Sequence, residues 1–217
     1  RRVEALCAAT GQGSRLLPCF GFHPDRFADD QALPAPKDIQ EFFDQVRTAA
    51  RRLAAIGEVG LDRRVAAASG RRRAQQDFLE EVAAVAGELG LALNVHARSA
   101  GHYALDLLRA AGARRVLMHA FDGKASHAVR GAADGFVFSI PPSVVRSGQK
   151  QKLVRALPLE SLVLESDAPV LGPVRGERGE PAQIEAARDA IAEIHGVSPE
   201  RVEEVTTHNA SKLFDAI

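Results

Sequence analysis

Short apolar runs of strand length alternate with amphipathic stretches along almost the whole chain, and this alternation limits the fold more than any other feature. The strand-like runs are Leu16–Phe22, Ala54–Asp62, Leu91–Ala97, Val116–Met118 running into His119, Gly135–Ile140 and Leu162–Asp167. Between and after them, helical spacing of apolar residues covers Ile39–Leu53 (Phe42, Phe43, Val46, Leu53), Ala74–Leu89, Ser99–Ala111, Ser126–Ala133, Gln149–Leu157 and Ile184–His195. A last helix is entered through Ser198-Pro199, an N-cap followed by proline at the first helical position, and residues 1–13 read as a helix tail running into a loop. The strands are apolar almost throughout rather than alternating, as parallel strands covered on both faces are. Spacings of a few tens of residues suit right-handed crossovers between parallel neighbours.

Two α/β architectures accommodate this order, a doubly wound open sheet and a TIM (β/α)8 barrel. A doubly wound sheet favours a glycine-rich phosphate loop after one strand, and no G-x-G-x-x-G is present. The barrel is preferred, because polar residues stand at the C-terminal ends of several strands, where a barrel gathers its site. Six strand–helix units are two short of a barrel, and 217 residues fall below the ~250 typical of one. The expectation is therefore a single domain over 1–217, N-terminally incomplete, with the first two strands outside the chain; opening on Arg1 rather than Met agrees with that.

Lys plus Arg and Asp plus Glu are equal at 28 each, so any contact with a polyanion must come from a local basic patch. No apolar run approaches the ~20 residues of a membrane span, and no charged-then-apolar start suggests a signal peptide. Cys7 and Cys19 have no C-x-x-C spacing and read as small buried hydrophobes, which points to a reducing, intracellular setting: cytoplasmic, or nuclear in a eukaryote.

The chemistry-bearing residues are Glu58, His96, His119 and Asp167, each near the end of a strand-like run. A carboxylate in a buried strand is costly unless it is paired or bound to a metal, and Gly57 and Gly60 flank Glu58 with no evident packing purpose. Two imidazoles and two carboxylates suit Zn²⁺ or Mn²⁺, and Mg²⁺ where carboxylates and water dominate. Each residue singly has a bland explanation, such as a satisfied strand-end histidine or a turn-forming aspartate before Ala168-Pro169. Coincidence of all four is harder to accept. Arg98, two positions after His96, Arg63 to Arg73 in an Arg-rich loop, Arg146, Lys150, Arg175 and Arg178 supply groups suited to phosphate. His102, His127 and His195 read as helix-surface residues, and His208-Asn209 as structural.

Six stretches carry a family resemblance: Gly21-Phe22-His23-Pro24, Ile56–Asp62, Asn94-Val95-His96-Ala97-Arg98, Leu117–Gly123, Leu164–Pro169 and Thr207–Phe214. Together they resemble the TatD family of metal-dependent deoxyribonucleases, and Phe138–Leu153 resembles one branch of it, the third TatD-domain-containing branch of animals. The resemblance implies a TIM barrel of the metal-dependent hydrolase superfamily acting on DNA phosphodiesters with two divalent ions (Mg, Mn or Zn). By the same resemblance the bridging glutamate is Glu58, the second-metal histidines are His96 and His119, and the strand-eight aspartate is Asp167. The family's His-x-His pair is absent, and His23 belongs to the later G-x-H-P motif. The implied activity is trimming of 3′ ends or nicking at abasic sites. On that reading Asp167 and Glu58 would be the catalytic residues, His23 and Arg98 would touch substrate, DNA would be the partner, and no membrane or obligate protein partner is expected. The rivals are a hydrolase of cyclic amides or aminoacyl esters in the same superfamily, and a non-catalytic scaffold.

Overall fold

A computed structural model of the chain describes residues 16–214; the helix tail read in residues 1–13, and Cys7, lie outside that range. Within the described residues, six strands form one parallel sheet: β1 (Cys19–Phe20), β2 (Ala55–Gly60), β3 (Ala92–His96), β4 (Val116–Met118), β5 (Val137–Ile140) and β6 (Leu162–Leu164). Their order in the sheet follows their order in sequence. A doubly wound sheet reverses direction at a switch point, whereas sequential order is that of a barrel wall. Among the described residues, seven helices connect and follow the strands: α1 (Pro36–Ala49), α2 (Ser69–Leu89), α3 (Gly101–Ala110), α4 (Ala125–Ala133), α5 (Gly148–Ala156), α6 (Ile184–His195) and α7 (Pro199–Phe214).

The two faces of the sheet follow from the two-residue period of a strand. Ile56, Val59, Leu93, Val95, Val116, Met118, Phe138, Ile140 and Leu162 belong to the main core, together with helix residues such as Val46, Leu79, Leu108, Leu153 and Ile191. The alternate positions Ala55, Ala92, Leu117 and Val163 form a second, smaller cluster closed by Leu213 of α7. Continuing that second register toward the strands' C-terminal ends gives Asn94, His96, His119, Ser139 and Glu165. That face is thus apolar at one end and polar at the other, and the polar end is the site.

Three sequence-based expectations change. β1 is two residues long rather than Leu16–Phe22, its register with β2 running over Cys19 with Ala55 and Phe20 with Ile56. The Arg-rich stretch is not all loop: α2 begins at Ser69, and Arg71, Arg72 and Arg73 lie on its first turns. Asp167 lies beyond β6, which ends at Leu164, and its φ of +47° turns the chain away from extended pairing. Elsewhere the boundaries move by a few residues; α1, for example, starts on Pro36 and gives way to a 3-10 turn over Ala50–Arg52.

Candidate metal centre

Glu58 owes its position to an irregularity. The β2–β3 register runs Gly57 to Asn94 and then Val59 to Val95, so Glu58 is the extra residue of a bulge. A bulge re-aims one side chain without ending the strand. The flanking glycines do have a packing role. A Cβ on Gly57 would lie 2.5 Å from the Asn94 Cβ, and one on Gly60 would lie 2.0 Å from the His96 carbonyl oxygen. Gly21 serves the same approach from the other side, since its Cβ would fall 2.2 Å from the Gly57 carbonyl carbon.

His23 follows Phe22, whose ring packs against Phe27, Phe42 and Phe78 at 5.2–5.9 Å. This cluster anchors the segment. Pro24 then opens a 3-10 turn over Pro24–Phe27, and His23 caps it by accepting from the Asp25 amide at 3.2 Å. His96 is the last residue of β3, and His119 comes one residue after β4, where Ala120 (φ +41°) bends the chain.

One oxygen stands at the centre of the cluster. Glu58 Oε1 lies 2.8 Å from His96 Nδ1, 3.7 Å from His119 Nε2 and 3.8 Å from His23 Nε2. Donor atoms of His23, Glu58 and His96 all lie within 4.8 Å of one another. His119 Nε2 is also 3.2 Å from Asp167 Oδ1. The four sequence-derived residues therefore meet, and His23, assigned to substrate above, stands within the donor group.

Two carboxylates that sequence reasoning left out orient the imidazoles. Asp62, 1% exposed, places Oδ2 3.2 Å from His96 Nε2, while its Oδ1 accepts from the Arg64 amide at 2.7 Å. Its own amide donates to Gln75 Oε1, and Gln75 Nε2 donates to the Pro24 carbonyl, tying the His23 turn to the same network. Glu165 Oε2 lies 2.7 Å from His119 Nδ1 and accepts from Ser139 Oγ, which in turn accepts from the Ala120 amide. In each neutral ring the outer carboxylate takes the N–H, which leaves the other nitrogen's lone pair facing Glu58. A period-two signal was available for Glu165, two positions before Asp167, and Asp62 ends the motif that contains Glu58.

Burial by itself pushes His96 down, but hydrogen bonds to Asp62 and Glu58 outweigh it and raise the ring to about 9. His119 is likewise pushed down by burial, and hydrogen bonds to Asp167 and Glu165 carry it up to about 11. Burial acts to raise Glu58, yet the His96 hydrogen bond and the charges of His119, His96 and His23 hold it below the usual carboxylate range. Protons on the imidazoles thus occupy the place of a cation. The donors fit a divalent metal: imidazole nitrogen and carboxylate oxygen converge on one point, with outer carboxylates fixing both rings. Glu165 Oε1 is buried without a hydrogen-bond partner, a further unsatisfied acceptor beside the group.

A cavity of about 480 Å³ opens over this end of the sheet, with His96, Arg98, His119, Asp122, Lys150 and Asp167 in its wall. Arg98 is exposed there. Most of the other arginines singled out above are engaged with the protein itself. The Arg63 guanidinium stacks on Tyr103 at 3.1 Å, Arg71 and Arg72 donate to the Gln31 and Ala66 carbonyls, and Arg146 donates to the Gly172 carbonyl. Arg73 and Arg178 pair with Asp77 and Glu180. His195 is half-buried and bonds the Val154 carbonyl at 3.0 Å, so it is a structural residue rather than a surface one. Asn209 is structural as expected, its Nδ2 donating to the Leu159 and Leu162 carbonyls at the start of β6.

Comparison with known proteins bears on the family of the chain. The human protein named deoxyribonuclease TATDN3 is 46% identical over 203 residues, covering 92% of this chain and 74% of its own length. The uncharacterised metal-dependent hydrolase YabD of Bacillus subtilis is 31% identical over 77% of this chain and 67% of its own. Among solved structures, YJJV, a TatD homologue of Escherichia coli, superposes with a TM-score of 0.86 at 22% identity, covering 100% of this chain and 82% of its own. The family model for TatD related DNase matches residues 2–215, and the chain belongs to that family.

Proposed function

We propose that the protein is a divalent-metal-dependent DNA phosphodiester hydrolase, acting as a 3′-exonuclease, an abasic-site endonuclease or both. The observation that carries this reading is the single Glu58 oxygen within 3.8 Å of three imidazoles, one following β1, one ending β3 and one just after β4. Glu58, His96, His119 and Asp167, joined by His23, would hold the divalent ions, two being expected. Bound there, such ions supply a nucleophile at neutral pH and neutralise charge on the phosphate.

The remaining roles fall to the chain's own groups. Asp167, one-fifth exposed, presents Oδ1 at the cavity and is placed to orient water and accept its proton. Asp62 and Glu165 hold the His96 and His119 rings in the tautomers that face Glu58. Arg98 supplies a guanidinium for a phosphate at the mouth. DNA with ends or lesions is the partner, without an obligate protein partner. A role in DNA repair in the cytoplasm or nucleus accords with this; no described helix is long and apolar enough to cross a membrane.

The test is a substrate panel on chelator-stripped protein with Mg²⁺, Mn²⁺ or Zn²⁺ restored singly. Recessed and blunt 3′ ends, an abasic-site duplex, a cyclic amide and an aminoacyl ester are compared. Metal-dependent cleavage of DNA alone is expected. Turnover of the amide or the aminoacyl ester with intact DNA would replace this reading by that of its rival.

A further inference from the structure

Lys150 is a cation buried in the wall of the cavity with most of its bonding capacity unused. The residue is 6% exposed and lies on the first turn of α5. Its ammonium donates to the Ala120 carbonyl at 3.0 Å and forms no ion pair among the described residues. An ammonium carries three donors, so two remain, and a buried charge without a counter-ion is costly. Burial pushes its pKa down, and the nearby carboxylates of Glu165, Asp122 and Asp167 offset this only in part. Those carboxylates have other partners. Glu165 and Asp167 face His119, and Asp122 accepts from the Ser99 amide.

The other polar groups of that wall are likewise engaged. Gln149 Nε2 donates to the Gly123 carbonyl at 2.7 Å, and Ser147 Oγ caps α5 by accepting from the Lys150 amide. Lys150 and the exposed Arg98 are the cavity cations left for a ligand. Ala120, which anchors the ammonium, directly follows His119, and Glu165 and Asp167 lie near enough to act on its charge, so the cation is held close to the metal-facing residues. A metal-facing cluster with a desolvated cation next to it suits a ligand with anionic groups in series.

Resting on the DNA reading above, we propose that Lys150 forms a second phosphate subsite, holding the phosphodiester next to the one that is cleaved. A point charge on an alkyl stem grips a phosphate oxygen without reading bases, so the subsite sets strand position and not sequence.

The experiment measures binding of single-stranded DNA to the full chain in EDTA across a salt series, for wild type, Lys150→Gln and Lys150→Met. Methionine keeps the buried stem and removes the ammonium, and gives the reading if the glutamine variant does not fold by circular dichroism. Loss of one phosphate contact lowers the slope of log K against log salt by about 0.7 for a single strand. Affinity at low salt falls about tenfold, as for a charge-assisted bond. A scan of the strand with one neutral methylphosphonate at a time finds a position that weakens wild type by the same factor and leaves the variants unchanged. An unchanged slope and affinity in both variants, or a scan in which wild type and variants respond alike, overturns the subsite. Because no metal is present, the titration reads the subsite apart from catalysis. DNA bound in a Lys150-dependent way but left intact when metal is restored would support the subsite and contradict the hydrolase.

Discussion

At the scale of single residues, protons and metal compete for the same imidazole nitrogens. His96 and His119 have folded-state values of about 9 and about 11, above the ordinary 6.5. Their protonated forms therefore stabilise the metal-free fold fully below about pH 6.5, and that contribution is lost as pH rises through the two raised values. Thermal melts of the chelated protein should fall between pH 7 and pH 10, and those of the metal-loaded protein should fall less. Zn²⁺ added at pH 7 should release close to one proton from each ring, seen as a dependence of titration heat on buffer ionisation enthalpy. Binding without proton release would contradict the placement of metal on these nitrogens. A second expectation concerns Glu165, which holds His119 from behind at 2.7 Å. Glu165→Gln should weaken metal binding about 10–100-fold with the fold retained, read by competition with a chromophoric chelator. Glu58, His96, His119 and Asp167 were legible from residue type at strand ends. Asp62 and Glu165 were not singled out, because they act through another side chain's ring nitrogens, and that depends on rotamers which spacing alone does not reveal.

At the scale of elements, the approach of β1, β2 and β3 around the bulge decides whether Glu58 reaches its partners. Gly57→Ala would set a Cβ 2.5 Å from the Asn94 Cβ, between two strands with little freedom to part. The expected loss is about 1–3 kcal/mol in chemical denaturation, with a matching loss of metal affinity as Glu58 is displaced. Gly87 offers the control. It lies inside α2 with nothing within 4 Å of an added Cβ, and Gly87→Ala should stabilise by about 0.5–1 kcal/mol. A neutral Gly57→Ala would show that the strands can separate without cost. The helices were readable from their apolar spacing to within a few residues, but the bulge was not. It is a mismatch between two strands, and neither strand's sequence records its partner's register. The start of α2 was missed because Arg71, Arg72 and Arg73 carry no apolar face; they are held by the Gln31 and Ala66 carbonyls and by Asp77.

At the scale of the whole molecule, sequential parallel order brings strands that are far apart in sequence to one rim. His23, His96 and His119, far apart in sequence, can then approach a single oxygen of Glu58, with Asp167 reached through His119. Apolar runs with polar C-terminal residues made that architecture readable, while the small inner-face residues Ala55 and Ala92 that leave room for it stood out only in the packed sheet. The central claim is that Glu58 serves both halves of the donor group, His23 and His96 on one side and His119 and Asp167 on the other. It is tested most directly by measuring DNA cleavage rate and bound-metal stoichiometry against metal concentration for wild type, Glu58→Gln and His119→Ala. His119→Ala should lose one ion and recover part of its rate in excess metal. Glu58→Gln should lose tight binding at both positions and more than about 100-fold in rate at every metal concentration, while melting near the wild-type temperature. Near-wild-type cleavage by Glu58→Gln, at any metal level, would contradict the account.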